Sequence, residues 1–542
     1  MRFIFLLFLC SISGQVVNGQ ASQNWHWKDY ATDSVHGISL NKAYKLLATL
    51  PQKASPVIVA VIDGGIDTNH VALKNLLWRN PKEIPNNQLD DDKNGYVDDV
   101  HGWNFLGGKD GRNIDKAAAE MTRIYHRYKS IYDGKQIDTN QLSSKEKATY
   151  FIWKQTADEI KVAENDLSSI QYIKMASNAI KKMGTILLKE LPDSNFTVSI
   201  LESYQPIGRV TLDTKMAYLR AVKILGIEKE STYPEIVKDL EEYIEGKEKA
   251  ASAQESAPPD VRADIIKDVY FNFSDKYYGN NDITGPNARH GTHVAGLVAS
   301  IPDSGWEVNN LYPALKIMGI RTVPDGDEYD KDVALAIRYA VDNGAKVINA
   351  SFGKDYSPHA QWVYDAIKYA ASKDVLIVHA AGNDSKDIDT EPNFPTDDVD
   401  GKEIADNVLT VGALNYEYGE KVVADFSNYG KRNVDVYAPG VKIYAAIPDN
   451  KYKYLQGTSM ASPNAAGVAA LIREYYPNLK AAQVKQILMQ SGTALNLEVI
   501  VDEKKIQIPF SDASVSGKIV NAYNALKMAE EMSNAIKKNP KL

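Results

Sequence analysis

Four polar side chains stand where a polypeptide could carry out acyl transfer: Asp63, His290, Asn383 and Ser459, in that order along 542 residues. Ser459 lies in Gly457-Thr458-Ser459-Met460-Ala461-Ser462-Pro463, and from Met460 to Leu471 nearly every side chain is small or apolar. That composition predicts a helix buried on all sides, with the serine at its mouth. Pro463 falls in the first turn, where backbone N–H groups have no intrahelical partner. Those N–H groups and the positive end of the helix dipole favour an anion forming beside Ser459. In such a site Ser459 Oγ attacks a carbonyl, His290 takes its proton and later returns it to the leaving amine, and Asp63 holds the imidazole tautomer. The Asn383 amide and the Ser459 N–H would stabilise the oxyanion. Each residue alone has a plainer role, as helix cap, turn residue or structural histidine. Their conjunction is what is specific.

These residues need elements to position them. Val57 to Ile62 is a continuous apolar run ending at Asp63, as expected of a parallel strand covered on both faces. Open α/β sheets place ligands at such carboxyl ends. Arg289-His290-Gly291-Thr292-His293-Val294-Ala295-Gly296 opens a second small, apolar helix. Downstream, the runs 315–323, 345–352, 375–381 and 408–411 are strand-like, and 332–343, 359–372 and 481–490 are helical, the βαβ rhythm of a parallel sheet with helices on both faces. His-Glu-x-x-His is absent, so His290 and His293 do not make a zinc-protease motif.

The composition is that of a soluble globular chain, 44% hydrophobic and 24% charged, with a net charge of -8 that argues against a nucleic-acid surface. Met1-Arg2 followed by the apolar Phe3 to Leu9, with small residues around Gly19 to Ala21, reads as a secretory leader over 1–20. It is too short to span a bilayer. The single cysteine, Cys10, lies in that leader, so the exported chain has no disulfide. An extracytoplasmic location follows, periplasmic or secreted, with no transmembrane segment in the mature chain.

Between the aspartate and histidine motifs the character changes. Residues 113–275 read as amphipathic helices with Pro192, Pro206 and Gly226 between them, an all-α insertion that interrupts a body formed by 21–112 and 276–528. Residues 529–542 read as a C-terminal tail. The insertion is expected to act as a lid, an exosite or an internal folding aid, the plain alternative being a spacer. Before it, Asp90, Asp92, Asn94, the Tyr96 carbonyl and Asp98 have the oxygen spacing of a calcium loop, with His101 where an EF-hand has glutamate. A structural calcium ion is expected there, the alternative being an exposed acidic turn. No cofactor is expected for catalysis.

The chain resembles the subtilisin-like serine proteases, the subtilase family. The stretches that carry the resemblance are Val61-Ile62-Asp63-Gly64-Gly65-Ile66-Asp67, His290-Gly291-Thr292-His293-Val294-Ala295-Gly296, Ala381-Gly382-Asn383 and Gly457 to Pro463. The Asp, His, Ser order is the order in subtilisin. Similarity covers roughly 37–111 and 274–528. It implies a three-layer α/β fold around a mostly parallel sheet of about seven strands, endopeptide hydrolysis through an acyl-enzyme, peptide or protein substrates, and structural calcium. It also implies that Ser351, Phe352 and Gly353, with Ala381 and Gly382, flank the primary specificity pocket, and that a bound peptide pairs along the Ser351 segment. Three features depart from the family pattern. Gly64 stands where a hydroxyl residue is usual, Asn464 replaces a histidine, and little chain separates the leader from the body for an amino-terminal propeptide. The competing expectation is a catalytically silent scaffold on the same fold, acting through its helical insertion. Sequence alone does not separate a hydrolase from a transpeptidase or give an oligomeric state.

Overall fold

A computed structural model describes residues 22–539, apart from 52–53, 166, 192, 228, 230, 253–255 and 300–313. The leader assigned to 1–20 lies outside the described residues. Strands β1 (Val57–Asp63), β2 (Gly102–Asn104), β3 (Leu315–Arg321), β4 (Val347–Ala350), β5 (Leu376–Ala380), β6 (Val408–Leu414), β7 (Val436–Pro439), β8 (Thr493–Ala494) and β9 (Lys518–Ile519) form one sheet of nine strands, ordered β8-β9-β7-β6-β5-β4-β1-β3-β2. Every pairing is parallel except that of β8 with β9. The sheet exceeds the expected seven or so strands because β2, β8 and β9 are edge pieces of two or three residues, too short to leave a hydrophobic period in the sequence.

Strand β1 is buried along almost its whole length because both of its faces are covered. Val59 and Val61 pack with Val294, Leu297, Met460 and Ala465 of helices Arg289–Ala299 and Thr458–Tyr475. Ala60 and Ile62 pack on the other side with Val333, Ile337 and Val363 of helices Asp330–Asp342 and Ala360–Ser372. These are three layers with the sheet in the middle. The register aligns Asp63 with Arg321 on β3 and brings the carboxyl ends of β1, β4 and β5 together at one edge. Two departures from expectation concern extent. Strand β7 carries too short a run to be legible in the sequence. Residues 529–538, expected as a short helical tail, complete helix Ala522–Lys538 and pack on the body, with Ala529 and Ser533 buried and Ser533 Oγ donating to Asn478 Oδ1 at 2.8 Å.

Within 113–275 the first helix begins at Glu120, and Asp115 to Ala117 is extended instead. The reason is tertiary. Ala117 N donates to Asp325 O at 2.9 Å and Asp325 N to Asp115 O at 2.7 Å, so a segment of helical composition is used as an edge. Glu120–Tyr132, Ser144–Asn165, Leu167–Leu187, Val198–Ser203, Arg209–Ile224 and Tyr233–Ser252 follow. They build two apolar clusters of their own. One holds Ile180, Leu187, Phe196, Leu201, Tyr218, Val222 and Ile236, and the other gathers Tyr125, Tyr132, Trp153 and Ile160 around Tyr356 of the body. At the returning end Arg262 is buried, bidentate to Asp332 at 2.7 and 2.8 Å, with Asp268 at 2.7 Å on its Nε. Arg112 meanwhile donates to Asp264 Oδ2 and Asp264 O, both at 2.9 Å. The segment boundaries at 113 and 275 thus fall inside stretches packed on the body.

Candidate active site

Asp63 ends β1 and His290 opens its helix, and the two meet because the residue after His290 is glycine. A Cβ on Gly291 would lie 2.2 Å from Gly65 O and 3.0 Å from Asp63 Oδ1, so any side chain there would force the helix away from the strand. With the helix seated, His290 Nδ1 stands 2.8 Å from Asp63 Oδ1 and 3.0 Å from Oδ2. Asp63 also accepts from Gly64 N at 2.7 Å, which keeps the carboxylate oriented without the hydroxyl usual at position 64. The carboxylate is 2% exposed. The His290 side chain keeps 41% of its surface, so its outer edge faces solvent and any bound peptide. Burial of the inner ring lowers its pKa, but the charge and hydrogen bond of Asp63 outweigh that, and the net shift is upward.

Ser459 sits in the first turn of Thr458–Tyr475, fixed to β4 from both sides. Its carbonyl accepts Ser351 Oγ at 3.0 Å, and its hydroxyl donates to Ser351 O at 3.2 Å. Ser351 Oγ in turn accepts Asn349 Nδ2 at 2.9 Å, and Asn349 Oδ1 accepts Ser462 Oγ at 2.8 Å. The Ser459 hydroxyl thus directs its hydrogen bond to the Ser351 segment rather than to His290.

Asn383 follows β5. Its Oδ1 accepts Thr458 N at 2.8 Å and Thr458 Oγ1 at 3.0 Å, which fixes the amide orientation. A Cβ at Gly457 (φ +143) would fall 3.5 Å from Asn383 Nδ2, 3.7 Å from its Oδ1 and 3.6 Å from Ser459 N, so the amide and the serine N–H border the same space. Each donor so placed is worth about 100- to 1000-fold in kcat for acyl transfer. Thr458 is the residue of the candidate site that sequence reading missed. Fully buried, it donates to Asn383 and accepts Gly382 N at 3.1 Å, tying the Asn383 amide to the Gly382 backbone. Its place beside the serine was the available signal.

Of the expected pocket residues, Ser351, Gly353, Ala381 and Gly382 come together at the ends of β4 and β5. Phe352 contributes only backbone: its ring is 8% exposed within the sheet's core, and its carbonyl accepts His379 Nε2 at 2.9 Å. Between the two walls stands Asn393, which the sequence did not suggest. Its Nδ2 donates to Ala381 O at 3.0 Å, and a Cβ on Gly353 would fall 2.8 Å from its Oδ1. His293 takes no part. Buried, with its pKa lowered to about 3 by desolvation, it uses Nε2 on the carbonyls of Ile443 and Lys453.

The acidic loop is folded by its own backbone. Asp90 accepts from Asn94 N and Gly95 N, Asp92 from Asn94 N, and Asn94 Oδ1 from Tyr96 N. Asp98, also in the expected ligand set, lies outside the group formed by Asp90, Asp92 and a third carboxylate, and its two oxygens accept Asn87 N at 3.3 Å and Gln88 N at 2.7 Å. The third carboxylate is Glu83, whose ligand atoms lie with those of Asp90 and Asp92 within 4.8 Å of one another. Glu83 is 4% exposed, its Oε2 has no hydrogen-bond partner, and desolvation raises its pKa. A buried carboxylate oxygen left without a donor fits a hard cation.

Comparison with known proteins agrees with this geometry. The sequence profile of the Subtilase family matches residues 54–504. The thermophilic serine proteinase of Bacillus sp. (strain AK1) is 34% identical over 49% of this chain and 61% of its own length. The cell wall-associated protease of Bacillus subtilis (strain 168) is 35% identical over 45% of this chain and 25% of its own. Subtilisin DY of Bacillus licheniformis is 37% identical over 38% of this chain and 71% of its own. The chain therefore spans less than two thirds of the length of the first two relatives.

Proposed function

The chain belongs to the subtilase family, and on that premise we propose that it is an exported serine endopeptidase working through an acyl-enzyme on Ser459. The observation that carries this reading is the His290–Asp63 pair at 2.8 Å, with the pKa of His290 raised, in a fold that also sets Ser459 in the first turn of its helix, next to the Thr458 that holds the Asn383 amide. His290 is the general base and acid, Asp63 positions it, and Asn383 Nδ2 with Ser459 N–H holds the oxyanion. Solvent access to the His290 edge supports water as the second nucleophile, hence hydrolysis rather than transpeptidation. Support for export comes from the charged and apolar leader and its lone cysteine. Among the described residues no helix is long and apolar enough to cross a membrane. The test is treatment of the purified chain with an active-site-directed fluorophosphonate, read by intact mass. One adduct is expected, absent from Ser459→Ala. A folded chain that takes up no adduct would leave the scaffold reading, acting through the helical insertion, in its place.

Calcium is proposed at Glu83, Asp90 and Asp92, with carbonyl oxygens of the same loop completing the shell, in a structural role remote from the reaction. The ion would relieve repulsion among three carboxylates and satisfy Glu83 Oε2. At a hundredfold excess over Kd it would stabilise the fold by about 2.7 kcal/mol. Thermal unfolding should therefore move to higher temperature in calcium than in chelator, and Glu83→Gln should abolish most of the difference. A midpoint indifferent to calcium would overturn the assignment.

A further inference from the structure

The helical excursion is fastened to the body at two places, one just after β4 and one on a hairpin that packs on the helix bearing His290. On the pocket side, Lys354 directly follows the Ser351–Gly353 segment. Its ammonium is buried between Glu120 Oε2 and Asp330 Oδ1, at 2.8 Å each, and Tyr356 is enclosed by Tyr125, Tyr132 and Trp153 of the excursion. At the second place, Lys453 pairs with Glu235. Lys453 lies on the hairpin of Ile443–Ile447 with Lys451–Leu455, which runs through Gly457 into the nucleophile. Its carbonyl accepts His293 Nε2 at 3.1 Å, one helical turn from His290. Between the two fastenings the excursion is continuous: helix Glu120–Tyr132 packs on Ser144–Asn165, which packs on Tyr233–Ser252, the helix bearing Glu235. The His290 side chain stays 41% exposed with the excursion in place.

We propose that the excursion is a strap across the peptide cleft, so that the substrates are extended, flexible peptide segments threaded beneath it and folded protein surfaces are excluded. This rests on the endopeptidase reading above. The two ends differ in strength. Lys354 is 5% exposed inside a network of carboxylates and an apolar cluster. The Lys453 and Glu235 side chains are 30% and 29% exposed, and so partly solvated a pair holds weakly. The Lys453 end is therefore the one that opens.

The experiment uses one small disulfide-bonded protein, offered native and in reduced, carboxymethylated form, together with a short fluorogenic peptide. Lys453→Glu sets two like charges face to face. It should raise cleavage of the native form at least tenfold relative to the reduced form and leave the short peptide within twofold. The pair Glu235→Cys and Lys453→Cys is unambiguous, since Cys10 of the leader is the sole native cysteine. Joined by a short bis-maleimide, it should keep short-peptide hydrolysis and lose what cleavage of the native protein remains. A wild-type ratio of native to reduced cleavage in both variants would overturn the strap. Fluorophosphonate labelling runs in parallel because that probe is small enough to pass beneath. Absence of labelling in the wild type would instead sink the acyl-enzyme reading and the strap's role with it.

Discussion

Replacing Ser459 with alanine is expected to lower kcat about a million-fold while leaving KM within a few-fold, the size of loss that follows removal of the serine in subtilisin. The loss is that large because the triad acts as a unit: without Oγ, His290 has no proton to take, and neither Asp63 nor the oxyanion donors can compensate. What survives is the contribution of Asn383 and of substrate positioning. The control is Ser462, three residues on in the same helix and also a buried hydroxyl. It donates to Asn349 Oδ1 at 2.8 Å and Val378 O at 3.2 Å and faces the core. Ser462→Ala should cost about 1–3 kcal/mol of stability by leaving the Asn349 oxygen unsatisfied, with kcat of the folded fraction nearly unchanged. Steady-state kinetics and thermal unfolding of the two variants separate chemistry from packing. A Ser462→Ala variant as inactive as Ser459→Ala would contradict the assignment.

Asp63→Asn should lower kcat by about 10⁴, because an amide facing Nδ1 no longer selects the tautomer whose Nε2 is free to accept a proton. It should also move the pH profile in a definite direction. His290 must be neutral to act as base, so kcat/KM falls as pH drops through its pKa. In the wild type burial depresses that pKa, while the Asp63 charge and hydrogen bond raise it further than burial lowers it, so the acid limb lies above the ordinary 6.5. With the charge removed, burial and the neighbouring Arg289 remain, and both favour the neutral ring. The acid limb of Asp63→Asn should therefore lie below that of the wild type, even as its ceiling falls. A limb that stays put would mean that the pair at 2.8 Å does not govern the base.

The proposed catalytic residues were legible as candidates because each lies at a strand end or helix start that the local hydrophobic pattern announces. Asp63 closes a run apolar at both parities, and Ser459 opens a run that is apolar all round. Residues that act across the fold gave no such sign. Thr458 matters through Asn383, Asn393 through Ala381 and Gly353, and Glu83 through the loop at 90–92. Each partnership exists only once distant segments have been brought together. Asp98 has ligand spacing in the sequence, and in the fold it also caps the turn at Asn87 and Gln88, a second role the spacing does not reveal. In the fold, the long helices and the buried strands were readable, whereas edge strands of two or three residues are defined by their neighbours. The first helix of the excursion starts at Glu120 rather than Asn113, because pairing with Asp325 overrides the helical tendency of Asp115 to Ala117.

The pinch between Arg112 and Asp264 bears on how this chain could be rebuilt. It brings together the two points where the excursion leaves and rejoins the body, and the buried Arg262 and Lys354 contacts lock the roots on either side. A chain whose ends are already held together feels little of what lies between them, since each doubling of its length costs only about 0.6 kcal/mol of closure entropy. The stretch from about 170 to 259, beyond the Trp153 and Ile160 contacts with Tyr356, should thus serve as an exchangeable cassette. A graft that keeps Arg112, Glu120, Arg262 and Asp264 could exchange one recognition module for another above an unaltered catalytic body, whereas excision of 113–275 as one block would remove the sockets along with the plug.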